Sequence, residues 1–300
     1  MRVLDAGAGE EVLALAFSPD GARLVVGVEG AGAAVHDLAG GPPVRLDDGS
    51  RLFPDRVSFG ADGRAYGITQ KGRVGFDPAT GRPVATGPGH RSAPGLHRGF
   101  AEAADGSRLV TTHFNHPTTR LVGWVPCPGG WERAWLVAQG NSSAPDLAAG
   151  RVVHIGCLTR GAWDYRLLVR DAATGELVAS GPYDYVMLAR PRLRPDGRQV
   201  VATRERTLVV WDTLMPGKPA RVRNDSRKHF TAAAYHPSGR YLFTTSNDAT
   251  VTVWDTENWV RVKRFDWDIG RLRAVAVSPD GLLAAAGSDR GRVVVWDVDV

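Results

Sequence analysis

The sequence predicts an all-β fold in which seven four-stranded antiparallel sheets form a ring. Three observations support this fold class. A turn of the Pro-Asp-Gly type recurs at intervals of about 42 residues. Short runs of β-branched and aromatic residues, which pleated sheets favour, follow each turn. Between these runs no stretch has the 3.6-residue apolar periodicity of an amphipathic helix.

The recurring turn can be followed along the chain. It appears first as FSPDGARLVVGV at 17–28, then as FGADGRAYGIT from Phe59, RPDGRQVVATR from Arg194, HPSGRYLFTTS from His236 and SPDGLLAAAGS from Ser278. The turn glycines are Gly21, Gly63, Gly106, Gly197, Gly239 and Gly281, separated by 42, 43, 91, 42 and 42 residues. Glycine suits these positions because the turn requires a positive φ.

The interval of 91 residues is twice the repeat and predicts a degenerate unit between the third and fifth turns. SSAPDLAAGRVVHIGC fills this place, with Gly150 as the turn and Arg151 to Cys157 as the following strand. Each of the seven repeats then reads as a short strand, a turn, a second strand, a third strand ending near an aspartate, and a weaker fourth strand. Such units can pack radially as the blades of a β-propeller.

The last repeat reaches VVVWD without a fourth strand, and MRVLDAG precedes the first repeat. We expect Met1 to Ala6 to supply the missing strand, because an unpaired sheet edge invites aggregation. The prediction is one domain over residues 1–300, in which residues 1–8 complete the seventh blade with residues 270–300.

Third strands ending in Trp-Asp give the sequence a specific resemblance. The pair is intact at Trp211-Asp212, Trp254-Asp255 and Trp296-Asp297, and it appears as His36-Asp37, Phe76-Asp77 and Arg170-Asp171 in other repeats. Over essentially the whole chain the pattern resembles the WD-repeat β-propeller family. The resemblance implies a buried hydrogen-bond network in each blade, here only fragmentary. We therefore expect rigidity from packing, with the recurring aromatic residues filling the wedges between blades.

Composition is that of a globular protein, with 43% hydrophobic and 23% charged residues. No apolar run is long enough to span a membrane, and Glu10 and Glu11 interrupt the start of the chain where a signal peptide would be apolar. Cys127 and Cys157 indicate neither a disulfide framework nor a zinc site. We expect a cytoplasmic protein, and the abundance of Arg, Ala and Gly favours a bacterial source.

Motifs for catalysis are not found in the sequence, which has no nucleophile elbow, phosphate-binding glycine loop or HExxH pattern. The stretch HFNHP places His113 near His116, with His90 and His97 upstream. Two histidines could share a metal, but no carboxylate partner is evident. We expect no enzyme activity, no catalytic residue, no metal site and no cofactor.

Aromatic residues and arginines in the loops are candidates for partner binding. In a propeller the loops entering each blade and the turns between second and third strands share one face, which the family uses for partners. Trp, Tyr and Arg dominate protein interfaces. The candidates are Trp163, Tyr165, Tyr183, Tyr185, Trp267, Arg271 and Arg227. The alternative is that these rings cap the blades.

Arg190 and Arg192 precede the fifth turn in LARPRLRPDG and share one face of the predicted inner strand. Arg192 aligns with Ala16, Ala234 and Ala276 of other repeats, which line the central channel. The two arginines either bind an anion in the channel or pair with acidic groups of a neighbouring blade, since buried charge needs a partner.

The function predicted from the sequence is a monomeric, non-catalytic scaffold that binds a protein or peptide on one loop face. The alternative is a nucleic-acid or polyanion binder on the same face, with Arg160, Arg166, Arg190 and Arg192 neutralising phosphates and Trp163 or Tyr183 stacking on bases. A small-molecule enzyme acting in the central channel is the third reading. Binding to phosphates would weaken steeply with salt, which separates the first two readings.

Overall fold

The computed structural model describes residues 1–7, 9–70, 72–89, 96–158 except 116–117 and 140–142, 164–183, 190–214 and 219–299, without the side chains of 85–89, 96–98, 115, 118 and 139. Its regular elements are all strands, grouped in seven four-stranded antiparallel sheets. The predicted β-propeller is confirmed. No helix in this part of the chain has the length and apolar character of a membrane span.

Blades 1 to 4 follow the chain from the innermost to the outermost strand. Blade 1 contains β2 (Val12–Phe17), β3 (Arg23–Val28), β4 (Gly32–Asp37) and β5 (Val44–Arg45). Blade 2 contains β6 (Leu52–Phe59), β7 (Ala65–Thr69), β8 (Gly72–Phe76) and β9 (Pro83–Gly89). Blade 3 contains β10 (Leu96–Glu102), β11 (Leu109–Asn115), β12 (Thr118–Cys127) and β13 (Gly130–Gln139). Blade 4 contains β14 (Asp146–Ala148), β15 (Arg151–Cys157), β16 (Tyr165–Asp171) and β17 (Leu177–Pro182).

Blades 5 and 6 repeat this order, and blade 7 takes its outermost strand, β1 (Arg2–Asp5), from the start of the chain. Blade 5 contains β18 (Arg192–Leu193), β19 (Gln199–Arg204), β20 (Thr207–Asp212) and β21 (Ala220–Arg223). Blade 6 contains β22 (Phe230–Tyr235), β23 (Tyr241–Ser246), β24 (Thr250–Asp255) and β25 (Arg261–Asp266). Blade 7 contains β26 (Leu272–Val277), β27 (Leu283–Ser288) and β28 (Arg292–Asp297).

Turn glycines confirm the predicted phase of the repeats. Gly150, assigned to the degenerate fourth repeat, has φ +67° and immediately precedes β15. The other six, Gly21, Gly63, Gly106, Gly197, Gly239 and Gly281, have φ between +68° and +79°. A side chain at such a φ is strained, so glycine is the favoured residue at all seven positions.

The ring is closed by the pairing of β1 with β28. The strands are antiparallel, with Arg2 opposite Val295 and Asp5 opposite Arg292. The amide of Ala6 extends the pairing by donating to the carbonyl of Gly291 at 2.8 Å. The predicted closing strand is therefore present, and it covers the edge of β28 that would otherwise be exposed.

Recurring aromatic side chains fill the wedges between blades, as predicted. Trp211, Trp254, Trp296 and Phe76 are each at most 5% exposed. Each packs against the preceding blade, as Trp211 does with Leu167 and Tyr183. Full burial of one such side chain stabilises the fold by about 2 to 3 kcal/mol.

The indole groups differ in whether they find a hydrogen-bond acceptor. Trp254 donates to the Thr244 hydroxyl at 2.9 Å, and Trp124 donates to the equivalent hydroxyl in blade 3 at 2.8 Å. The buried indole nitrogens of Trp211 and Trp296 have no hydrogen-bond partner. Blades 5 and 7 have alanine at the threonine position, Ala202 and Ala286. Packing therefore carries more of the stability in these two blades.

Blades 2 and 3 enclose a buried charge at a position that is apolar in other blades. Arg73 is 1% exposed and forms an ion pair with Glu102. Its guanidinium carbon lies 3.5 Å from the centroid of the Tyr66 ring, and the Tyr66 hydroxyl donates to Asp62 at 2.8 Å. Ion pairing and cation–π contact offset part of the desolvation of the guanidinium, and burial still lowers the pKa of Arg73.

Candidate functional site

One end of the propeller carries the loops in which the sequence predicts a binding site. We call this end the loop face; it consists of the loops that enter the blades, such as 224–229 and 267–271, and the turns between second and third strands, such as 247–249 and 289–291. The two sets are bonded to each other within a blade. The Arg271 amide donates to the Asp289 carboxylate at 2.9 Å, and the Asp289 amide donates to the Arg271 carbonyl at 2.8 Å. These hydrogen bonds hold the described loop 267–271 against the turn 289–291.

The innermost strands surround a central channel with a cavity at each end. At the loop face lies a cavity of about 390 Å³. At the other end, a cavity of about 720 Å³ is lined mainly by alanine, leucine and valine side chains. Seven charged side chains line the loop-face cavity. Two of them, Glu102 and Arg273, pair with Arg73 and Glu11, which do not line it. We call the other five the channel mouth: Asp55, Arg56, Asp146, Arg190 and Arg192.

An irregularity in β6 brings two of these residues into the channel mouth. Phe53 pairs with Ile68 and Val57 pairs with Gly67, so three residues of β6 have no partner on β7. The first of the three is Pro54, which has no N–H to donate to the ladder. The resulting bulge turns Asp55 and Arg56 toward the channel.

One carboxylate oxygen of Asp55 forms ion pairs with two guanidinium groups. Its Oδ2 lies 2.9 Å from Arg190 Nη2 and 3.4 Å from Arg56 Nε. Blades 2 and 5 are as far apart as two blades can be in a ring of seven, so the Asp55–Arg190 pair crosses the channel mouth. The two side chains are 35% and 41% exposed, respectively.

Arg192 is held more fully by its neighbours. Its Nη1 lies 3.5 Å from Asp146 Oδ1, and its Nε donates to the carbonyl of Ala233 at 3.1 Å. The second oxygen of Asp146 accepts the amide of Leu193 at 2.8 Å. Arg192 thus pairs with a carboxylate of the neighbouring blade 4, which was one of the two predicted alternatives, whereas the carboxylate that pairs with Arg190 lies across the channel in blade 2 and not in a neighbouring blade. Arg192 ties blades 4, 5 and 6 together.

Two of the tyrosines predicted to contact a partner are buried. Tyr165 is 9% exposed and Tyr183 is 2% exposed. Both pack in the cluster between blades 4 and 5, and the Tyr183 hydroxyl donates to the carbonyl of Thr203 at 3.2 Å. Neither ring is accessible to a partner, so for these two the alternative of blade capping is the correct one.

The remaining candidates divide into three groups. Trp267 is half-buried, stacked on Phe265 at 5.3 Å and packed against Trp296 at 4.6 Å between ring centroids. Arg271 and Arg227 are exposed on the loop face. Trp163 and Tyr185 lie outside the described residues. Among the described candidates, the fully exposed side chains are therefore the two arginines.

Of the histidines considered for a metal site, His97 and His113 lie opposite each other in the β10–β11 pairing. His113 is fully buried, and its Nε2 lies 2.6 Å from Thr111 Oγ1, the hydroxyl that accepts from Trp124. His116 and His90 lie outside the described residues, as does the side chain of His97. His113 is part of the blade 3 core.

Comparisons with known proteins agree with the fold. The WD domain, G-beta repeat family matches residues 217–255 and 264–297, between the outermost strand of blade 5 and the third strand of blade 7. The chain is a β-propeller that carries WD repeats in these two stretches, which agrees with the sequence resemblance.

Several curated proteins are similar to part of the chain. Pre-mRNA-processing factor 19 homolog 2 of Arabidopsis thaliana is 32% identical over 100 residues, which is 33% of this chain and 19% of the relative. Protein groucho of Drosophila melanogaster is 28% identical over 36% of this chain and 15% of the relative. U3 small nucleolar RNA-associated protein 15 homolog of Xenopus tropicalis is 28% identical over 44% of this chain and 25% of the relative. The matches thus span a quarter or less of these proteins, and these eukaryotic relatives give no support to the predicted bacterial source.

Sequence reasoning missed Asp55, Arg56 and Asp146 as components of the site. Proline in the otherwise strand-like LFPDRVSF was the available signal for the first two, because proline inside a strand marks a bulge. Asp146 had no such signal, since its proximity to Arg192 depends on how blades 4 and 5 pack.

Proposed function

We propose that this propeller is a non-catalytic scaffold that binds a protein or peptide partner on its loop face, centred on the channel mouth. The observation that carries the proposal is the set of partly exposed guanidinium and carboxylate groups held around an open cavity by strands of several blades. Because hydrogen-bonded strands hold Arg56, Asp146 and Arg192 in place, binding at these residues costs little conformational entropy. Exposed cations such as Arg227 and Arg271 would increase the association rate and the selectivity.

In this proposal the protein acts as a cytoplasmic monomer. Its closing strand is supplied by the same chain, so the edge of blade 7 needs no second copy. Analytical ultracentrifugation would test the monomer directly.

Charge reversal on the two ends of the propeller tests the binding face. The double variant Arg227→Glu, Arg271→Glu alters the loop face, whereas Arg64→Glu, Arg198→Glu alters exposed turns at the opposite end. A partner purified with the wild-type protein should bind the first variant less tightly and the second unchanged. An equal loss of affinity for the partner in both variants, or a loss only in the second variant, would mean that the binding surface lies elsewhere.

A second candidate function is binding of RNA or another polyanion on the same face. It is favoured by the formal charge of +5 and by the printed names of two relatives, which refer to pre-mRNA processing and to a small nucleolar RNA. Against it, Tyr183 is buried and cannot stack on a base, and Arg166 lies 3.7 Å from Asp164. Affinity for RNA that falls steeply with added salt, together with no affinity for peptides, would favour this function instead.

A further inference from the structure

The Asp55–Arg190 pair occupies the place where a ligand would enter the channel. It crosses the loop-face cavity from blade 2 to blade 5, and both side chains are partly exposed. The wall around the pair contains small and neutral side chains, including Ala14, Thr203 and Thr231. A ligand that enters the cavity at the loop face therefore meets this ion pair before the apolar part of the channel.

Guanidinium groups outnumber carboxylates at the channel mouth. Arg56, Arg190 and Arg192 face two carboxylates, Asp55 and Asp146, and one oxygen of Asp146 is already used by a backbone amide. Burial lowers the pKa of Arg190 most, Asp55 raises it, and the nearby guanidinium groups of Arg192 and Arg56 lower it further. The mouth thus has a cationic excess that its own carboxylates satisfy incompletely.

We propose that Asp55 is an internal competitor for an acidic side chain of the partner. On this proposal an aspartate or glutamate in a protein segment pairs with Arg190 in place of Asp55, and Asp55 turns away to solvent. The inference rests on the proposed function and specifies the chemistry of the partner. Arg190 is suited to the exchange because it forms one ion pair with Asp55, whereas Arg192 is also bonded to a backbone carbonyl.

An acidic protein segment fits the channel mouth better than a nucleic acid. Proteins bind single strands without sequence preference largely by stacking bases on aromatic rings. Of the residues lining the loop-face cavity, all of them described, the one aromatic is Phe100, which packs in the cluster containing Trp124. Asp55 and Asp146 interrupt the arginines of the channel mouth and disfavour a continuous phosphate backbone, whereas a peptide can present one carboxylate to one arginine.

Direct binding of short labelled peptides to the full chain tests the proposal. Fluorescence anisotropy would compare a peptide alternating glutamate and glycine with the same peptide containing glutamine, and with a short oligouridylate. The variants are Asp55→Asn and Arg190→Gln. Arg23→Gln and Asp37→Asn are matched controls, because the side chains of that pair are similarly exposed, at 37% and 46%, and lie at the end of the propeller opposite the loop face. Thermal melts would verify that each variant is folded.

The Asp55→Asn variant should bind the glutamate peptide about three to ten times more tightly than the wild type, since it loses the competing carboxylate. The Arg190→Gln variant should bind it at least about ten times more weakly than the wild type, and both controls should match the wild type. Glutamine in the peptide should abolish the difference between wild type and Asp55→Asn.

Three other results would overturn the proposal in different ways. If wild type and Asp55→Asn bind the glutamate peptide equally and Arg190→Gln binds it weakly, Asp55 does not compete, although the loop face binds peptides. If oligouridylate binds more tightly than every peptide, the acidic segment is the wrong occupant. If Asp55→Asn binds no peptide while it melts as a folded protein, both this inference and peptide binding at the channel mouth are wrong.

Discussion

The hydrogen bond between Trp254 and Thr244 allows a quantitative test of how a blade is stabilised. Thr244→Val keeps the shape of the side chain but removes the hydroxyl that accepts the indole N–H at 2.9 Å. Both residues are buried, at 1% and 5% exposure, so water cannot replace the lost acceptor. Leaving a buried donor unsatisfied costs about 1 to 3 kcal/mol, and the added methyl group offsets part of this cost.

We expect a net loss of about 1 to 2 kcal/mol in the free energy of unfolding. With an unfolding entropy of about 2.1 cal/mol/K per residue, this loss lowers Tm by about 2 to 3 °C for a chain of this length. Differential scanning calorimetry or a fluorescence-detected melt resolves a shift of this size. The Thr244 hydroxyl also donates to the carbonyl of Thr252 at 3.3 Å, so the single variant alone does not isolate the indole bond.

A double-mutant cycle with Trp254→Phe isolates the contribution of the hydrogen bond between the Trp254 indole and the Thr244 hydroxyl. Phenylalanine removes the N–H, so Thr244→Val should cost about 1 kcal/mol less in the Trp254→Phe background than in the wild type. Blade 7 is the internal control, because Trp296 has no acceptor and Ala286 occupies the threonine position. A coupling energy below about 0.3 kcal/mol would show that the indole bond contributes nothing measurable, and the assignment of stability to it would be refuted.

Two further predictions concern ring closure and acid stability. Deletion of residues 1–6 exposes the edge of β28 and removes Leu4 from its apolar cluster. The truncated protein should therefore melt at a lower temperature and form aggregates that light scattering detects. A truncated protein with the Tm and monomer content of the full chain would contradict the closing role of β1. Burial, and secondarily the charge of Arg170, lower the pKa of His154 to about 3, well below its value in the unfolded chain. The buried imidazole therefore stabilises the fold fully above about pH 6.5. Below this pH the free energy of unfolding falls by up to about 1.4 kcal/mol per pH unit. The wild type should therefore lose more Tm between about pH 7 and pH 5 than His154→Gln does, and equal losses would exclude His154 as the cause.

Local chemistry made the ring predictable from the sequence. The turn glycines mark positions where the backbone φ is positive, and this constraint acts within a few residues of each turn. Gly150 was found by counting even though its repeat has lost the other markers. The closing strand followed from the need to cover an exposed sheet edge, which is a general property of strands.

The binding surface was less predictable because it depends on contacts between distant segments. Tyr183 occurs in a polar, aromatic loop, yet its hydroxyl reaches the carbonyl of Thr203 in the next blade. Trp267 is covered by Phe265 and Trp296. Asp55 and Arg190 are 135 residues apart and meet only because the ring places blades 2 and 5 across the channel. No local sequence pattern indicates these contacts.

Pairing of the first strand with the last one has a consequence for biosynthesis. Residues 2–5 leave the ribosome long before their partners at 292–295, which are translated only after the six intervening blades. Until then the side of blade 1 that carries Val12, Phe17 and Leu24 lacks the residues of blade 7 that bury it. The nascent chain is therefore an open arc with an apolar flank, and we expect it to engage chaperones until blade 7 docks.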